Sequence, residues 1–234
     1  MLPILTVTLN PALDMTTTVG RLLPQRKLRC DVPRRDPGGG GVNVSRAIKE
    51  LGGESRAFIA TGGSMGGELR SLMATTGISC EFWPLAGDTR FSLTVMEEET
   101  GLHYRFVLPG PNFVEGEADR LLARLGQIIV AGPGFVVGSG SLPPGVPDDF
   151  YARLARFTRQ HGGKFIIDTH GAPLRLAAAE RPYLVRLNHL EAQELLGGDA
   201  DAAAHRLAHQ LVEKSLAEIA IVTLGERGAI VATN

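Results

Sequence analysis

The chain has 234 residues, 24 Lys and Arg against 25 Asp and Glu, and a formal net charge of −1. That length can bury one full core, and the charge balance leaves no whole-molecule basic field to hold nucleic acid or an anionic membrane, so any anion site is local. The two cysteines, Cys30 and Cys80, have neither zinc-like pairing nor the number of a disulfide framework, which suggests a reducing compartment.

The first residues, MLPILTVTLNPALD, hold an apolar run too short for a signal segment and lack a basic start, and no membrane-length apolar run follows, so a cytoplasmic protein is expected. Residues 4–9 are apolar and β-branched and stop at Asn10-Pro11, which reads as a buried first strand opening into a loop that holds Asp14. Function in α/β sheets gathers at such strand ends.

Residues 36–53, DPGGGGVNVSRAIKELGG, set four glycines against a helix. Val44, Ala47, Ile48 and Leu51 fall at i, i+3, i+4 and i+7 and give one apolar stripe, Asn43 stands where an N-cap belongs, and Pro37 and Gly52-Gly53 act as start and stop signals. Residues without a Cβ let backbone N–H groups crowd a bound group, and a helix start favours an anion or a hydroxyl-rich ligand. A flexible linker is the plain alternative. This run is short and locked between structured segments, which favours a ligand loop.

A strand at 57–60, a glycine-rich turn and a helix at 68–75 continue a βα alternation, which a β-hairpin at 91–108, turning at Glu99-Thr100-Gly101, interrupts. Arg90 and Arg105 bracket that hairpin; two guanidinium groups brought together suit bidentate capture of a phosphate ester, although a single arginine is usually just solvated. Then come a helix at 115–125, a strand at 134–137, the loop GSGSLPPG at 138–145, a helix at 148–161 and a strand at 164–168. A strand at 183–187, helices at 189–196 and 200–214, and a strand at 219–223 follow, and GERGAIVATN comes just after that strand and is open to being read as part of another. Strands alternating with helices imply a largely parallel sheet with helices on both faces. No Gly-Lys-Ser/Thr occurs, which excludes a P-loop, and the first βα turn lacks G-x-G-x-x-G, which argues against a dinucleotide enzyme.

Seven segments in order carry a resemblance: TLNPALD at 8–14, KLRC at 27–30, PGGGGVNVSRAI at 37–48, YRFVLPG at 104–110, GSGSLPPGV at 138–146, NHLE at 188–191 and TLGERGA at 223–229. The chain resembles the ribokinase-like sugar kinases, and within them the phosphofructokinase-B type. The resemblance implies one ribokinase-like α/β domain, a small β lid from segments near 15–36 and 89–110 that pairs two subunits, ATP with Mg²⁺, and a sugar-phosphate acceptor. It also implies that Gly39, Gly40 and Asn43 contact sugar hydroxyls, that Asp14 accepts hydrogen bonds from them, and that Ser139, Arg90 and Arg105 hold the acceptor's phosphate. Lys27, Arg186, Asn188, Thr223, Gly225 and Gly228 match nucleotide-contacting positions, and Glu191 matches the residue that positions Mg²⁺ through water.

Arg186 stands where Lys is common in the family and Leu187 where Pro is, and the change at 186 keeps the charge while altering the donor geometry. The family's Gly-Ala-Gly-Asp motif, whose Asp is the general base, does not occur in these residues, so the expectation is a truncated sequence lacking the C-terminal part, with no catalytic residue assigned. The glycine run GGGG, rather than GGKG, points to fructose 6-phosphate phosphorylated at its 1-hydroxyl. The alternatives are a 1-phosphofructokinase, a tagatose-6-phosphate kinase, and a non-catalytic sugar-phosphate-binding protein.

Overall fold

Apolar β-branched runs and amphipathic segments set the architecture in a computed structural model that describes residues 3–132, 134–197 and 203–233. In chain order it forms β1 (Ile4–Thr8), β2 (Ala12–Val19), β3 (Arg34–Gly38), α1 (Gly40–Glu50), β4 (Arg56–Gly62), α2 (Gly63–Ala74), β5 (Ser79–Leu85), β6 (Arg90–Glu97), β7 (His103–Val107) and α3 (Glu117–Val130). These are followed by β8 (Phe135–Ser139), α4 (Phe150–Gln160), β9 (Lys164–Asp168), α5 (Gly171–Ala179), β10 (Leu184–Asn188), α6 (His189–Leu196), α7 (Ala204–Glu213), β11 (Ile219–Thr223) and β12 (Ala229–Thr233).

Eight strands make one sheet in the order β12-β11-β10-β9-β8-β1-β4-β5, parallel except for antiparallel β12. Helices cover both faces, which is the ribokinase-like α/β fold the sequence implies. Each central strand is buried on both sides, as parallel strands must be. Along β1, Leu5 and Val7 enter the larger cluster with Leu121, Leu125, Phe150 and Tyr151. Thr6 and Thr8 are buried too, and Thr6 Oγ1 lies 2.7 Å from Ser45 Oγ of α1. On β4, Phe58 joins the same large cluster, while Ala57 and Ile59 form a second one with Val42, Leu69 and Met73. No helix among the described residues is long and apolar enough to cross a membrane.

A second, four-stranded sheet, β3-β2-β6-β7, stands apart from the first, and the predicted hairpin is its β6-β7 edge. The sequence reading placed Asp14 in a loop. The structure instead runs almost directly from β1 through Asn10-Pro11 into β2, so Asp14 is a strand residue. The Thr-rich alternation of β2 gains its partners only from β3 and β6, remote in sequence, which is why local pattern passed over it.

Two further expectations for α1 are corrected. The helix begins at Gly40 with Gly39 as its N-cap, so Asn43 lies inside the first turn, its amide already bonded to the Gly39 carbonyl at 2.9 Å. The buried face is Gly41, Val42 and Ser45, whereas Ala47 is exposed and Leu51 is 89% exposed. Close approach to β1 selects small residues there: a Cβ on Gly41 would come 2.9 Å from the Val7 carbonyl. The apolar stripe read from spacing is therefore not the face that packs. Besides β2, three more elements have no counterpart in the sequence reading. Strand β5 carries Pro84, tolerated because β5 is the sheet edge, and α5 carries Pro173, tolerated in a helix's first turn. Strand β3 is the third, visible only through its pairing with β2. Helix α2 starts five residues before the expected 68, at Gly63, while residues 200–202 of the expected helix 200–214 lie outside the described residues.

Candidate functional site

The strand order reverses at β1, whose neighbours are β4 on one side and β8 on the other. Ligands of open α/β sheets bind in the crevice beyond the carboxyl ends of strands at such a point. Helix α1 starts there, with its glycines wedged into the crevice wall. Gly39 has φ +114°, a backbone open to glycine, and an added Cβ would sit 2.8 Å from Thr8 Cγ2 and 2.9 Å from Pro11 Cα. On Gly40 it would sit 2.6 Å from the Gly140 amide and overlap Ser139 Oγ, and on Gly38 it would overlap the Asp14 carboxylate. The glycine run thus has a packing reason beside any ligand reason: it lets a helix start press against the ends of β1 and β8. Asn43 is exposed one turn into that helix.

Register assembles a charged group on the small sheet. Asp14 pairs with Asp36 and Ser92, Ala12 with Arg90, and Thr94 with Arg105. Period-two alternation therefore puts Asp14, Arg90 and Arg105 on one face although they are up to 91 residues apart (105 − 14). Burial raises the Asp14 pKa, Arg105 and Arg90 oppose that rise, and Asp36 adds to it. Arg90 is half-buried and donates from one terminal nitrogen to the Leu108 carbonyl at 3.3 Å and from the other to the Asn10 carbonyl at 3.2 Å, while its Nε is buried without a partner. Ser139, at the end of β8 and 1% exposed, donates to Asp168 Oδ2 at 3.3 Å.

Asp168 is the residue the sequence reading missed. As the last residue of β9 it stands between Ser139 and Arg186, which contacts its Oδ1 at 3.2 Å, and the Gly140 amide donates to its carbonyl at 2.9 Å. The available signal was a carboxylate closing a buried parallel strand, FIID, at the sheet's ligand-facing end.

The remaining candidates line the carboxyl ends of β10 and β11. Asn188 and Thr223 are register partners, and Thr223 Oγ1 donates to the Leu187 carbonyl at 3.4 Å. Asn188 caps α6: its side chain accepts from the Glu191 amide at 2.9 Å and Glu191 Oε2 accepts from the Asn188 amide at 2.7 Å. One Glu191 oxygen is thereby committed to the helix start. Gly225 and Gly228 have φ of +61° and +88° and open space on the Cβ side. A guanidinium, an amide, a hydroxyl and an open glycine turn fit a phosphate tail. No group of three or more metal-ligating side chains occurs among the described residues; a divalent ion bound mainly through phosphate and water needs no such cage. Lys27 is exposed in the loop between β2 and β3, with no hydrogen bond or ion pair among the described residues.

Comparison with known proteins identifies the family. The model of the pfkB family carbohydrate kinases matches residues 9–234. The chain is 42% identical over 232 residues to the ATP-dependent 6-phosphofructokinase isozyme 2 of Mycobacterium tuberculosis H37Rv, covering 98% of this chain and 68% of that protein. It is 34% identical over 233 residues to the 1-phosphofructokinase of Xanthomonas campestris, covering 97% and 72%. The crystal structure of Escherichia coli phosphofructokinase-2 in complex with fructose 6-phosphate superposes with a TM-score of 0.92 at 34% identity, over 100% of this chain and 78% of that one. A tetrameric inhibited form of that E. coli protein superposes with a TM-score of 0.91 at the same identity, over 100% and 77%.

Proposed function

Because this chain belongs to the pfkB family of carbohydrate kinases, we propose that it transfers a phosphoryl group from ATP to the 1-hydroxyl of fructose 6-phosphate, giving fructose 1,6-bisphosphate. The observation that carries this reading is the convergence of Asp14, Arg90 and Arg105 on one face of the small sheet, beside the glycine turn and Ser139. A carboxylate accepts hydrogen bonds from sugar hydroxyls, and guanidinium groups with fixed charge and forked donors recognise a phosphate ester. The amides at the start of α1 offer donors to the same ligand.

Bound Mg–ATP supplies the phosphoryl group. Arg186, Asn188, Thr223, Gly225 and Gly228 are the residues proposed to hold its phosphates and sugar, and Glu191, through its uncommitted oxygen, to orient water on the metal. Asp168 joins the two halves, since it touches both Ser139 and Arg186. The 1-phosphofructokinase relative keeps fructose 1-phosphate as the alternative acceptor. The test couples ADP formation by the full-length protein to a readout, with fructose 6-phosphate, fructose 1-phosphate and tagatose 6-phosphate as acceptors. The highest kcat/KM with fructose 6-phosphate is expected. A higher value with either other sugar moves the assignment to it, and binding of sugar phosphate without ADP release supports the non-catalytic alternative.

The small sheet is also proposed as a homodimer contact, because Leu102, Phe106 and Val107 are exposed by 56, 51 and 59% on one edge of it. Light scattering at micromolar concentration tests this, and a strictly monomeric mass argues against it.

A further inference from the structure

The chain crosses between the two sheets at 9–11, 38–39, 86–89 and 108–116, and Asn10 in the first crossing touches Arg90, which directly follows the third, and Gly110 in the fourth. Its main-chain carbonyl accepts from Arg90 at 3.2 Å. Its Nδ2 donates to Ser141 Oγ at 3.0 Å, reaching 131 residues along the chain to the loop that follows Ser139. Its Oδ1 is buried without a hydrogen-bond partner and rests against Gly110, where an added Cβ would overlap it. Leu9 before it is fully buried and Pro11 after it has a fixed φ, so the side chain's two contacts decide how the Asn10 carbonyl is presented. The same Arg90 donates to Leu108, two residues before Gly110. A hollow of about 540 Å³ opens beside Asn10, Gly110 and Ser141, so packing does not hold these three groups from that side.

We propose that Asn10 is a positioning residue for sugar-phosphate recognition: through Ser141 and Gly110 it fixes the Asn10 carbonyl that orients the Arg90 guanidinium, and with it the spacing between Arg90 and the Ser139 loop. This rests on the reading of Arg90 as a contact to the sugar's phosphate. A buried neutral hydrogen bond that is removed shifts an equilibrium by about three- to tenfold.

The experiment is equilibrium titration of the full-length protein with fructose 6-phosphate, and separately with a non-hydrolysable ATP analogue and Mg²⁺, for the wild type, Asn10→Ala, Ser141→Ala, the Asn10→Ala/Ser141→Ala pair and Gly110→Ala. Each single variant is expected to weaken sugar-phosphate binding by about three- to tenfold and to leave nucleotide binding within about twofold. The double variant is expected to lose no more than Asn10→Ala alone, because both changes break one bond. Ser141→Ala removes a half-buried hydroxyl and keeps the test open should Asn10→Ala fold poorly. Equal losses for both ligands, unchanged sugar-phosphate binding, or additive losses in the double variant would overturn the proposal. Arg90→Ala separates the two claims: if it leaves fructose 6-phosphate binding intact, the reading of the site fails, and if it abolishes binding while Ser141→Ala changes nothing, only the role of Asn10 fails.

Discussion

At the glycine turn an added methyl at Gly38, Gly39, Gly40 or Gly41 meets another segment within 3 Å, whereas at Gly225 and Gly228 it meets nothing within 4 Å. The two ends of the crevice are built differently. On the proposed sugar side, Asp14, Arg90, Arg105 and Ser139 come from four strands in two sheets and are held by register and by close backbone packing. On the proposed nucleotide side, Arg186, Asn188 and Glu191 sit within six residues and the last two organise each other through a capping box. A site assembled from distant strands depends on the whole fold, while one made of a local motif depends mainly on its own helix start.

The sharpest way to break that contrast is a pair of glycine substitutions. Gly40→Val is expected to cost about 3 kcal/mol, at the upper end of overpacking penalties, since beside the Ser139 hydroxyl its neighbours are backbone atoms of Ser139 and Gly140 that cannot step aside, and to abolish fructose 6-phosphate binding. Gly225→Ala should cost only about 1 kcal/mol, the strain of a left-handed residue in open space. Urea unfolding measures both, and equal costs would erase the distinction.

Arg90→Ala comes next. Loss of charge-assisted hydrogen bonds to a phosphate is worth about 1.5–3 kcal/mol, or roughly ten- to a hundredfold in affinity for fructose 6-phosphate, with nucleotide affinity unchanged. Parallel losses for both ligands would mean that the two ends are not separable. At the other end, Asn188→Ala removes the cap of α6 and is expected to cost about 1 kcal/mol in urea unfolding, with weaker binding of the ATP analogue and normal binding of sugar phosphate.

The smallest expected effect is a pH slope. Burial holds the Asp14 pKa above the ordinary aspartate value, so the folded protein binds the proton more tightly than the unfolded chain does. Between the ordinary and the raised value stability therefore falls as pH rises, and Asp14→Asn should flatten that part of the profile in urea midpoints taken from about pH 4 to 7. Sugar-phosphate binding through the Asp14 carboxylate should run the other way and weaken on acidification, earlier than an ordinary aspartate would give. An unaltered profile in Asp14→Asn would show that another group carries the slope.

Local signals recovered most of the main sheet, with β9, α6 and β11 found at their observed bounds because each is a short periodic run with clear stops. They missed β2, β3 and β5, whose residues are ambiguous until a neighbouring strand pairs with them. The apolar stripe proposed for α1 shows the same limit from the other side, since 3.6-residue spacing identified a helix and misjudged its buried face. That face was selected by the closeness of β1, which no spacing within the helix records.

By itself, then, the sequence determined the α/β class, the glycine turn that opens α1, the local N-x-x-E motif and the ordered set of segments that identifies the family, because each depends on residues near one another along the chain. Only the tertiary structure decided that Asp14 belongs to a strand facing Arg90 and Arg105, that Asp168 joins Ser139 to Arg186, and that Asn10 ties Arg90 to Ser141. Each of those relations is a strand register or a contact between residues at least 18 positions apart, the closest being Asp168 and Arg186. Such distances are closed by sheet pairing and core burial, and local propensity carries no information about which remote strand will become the neighbour.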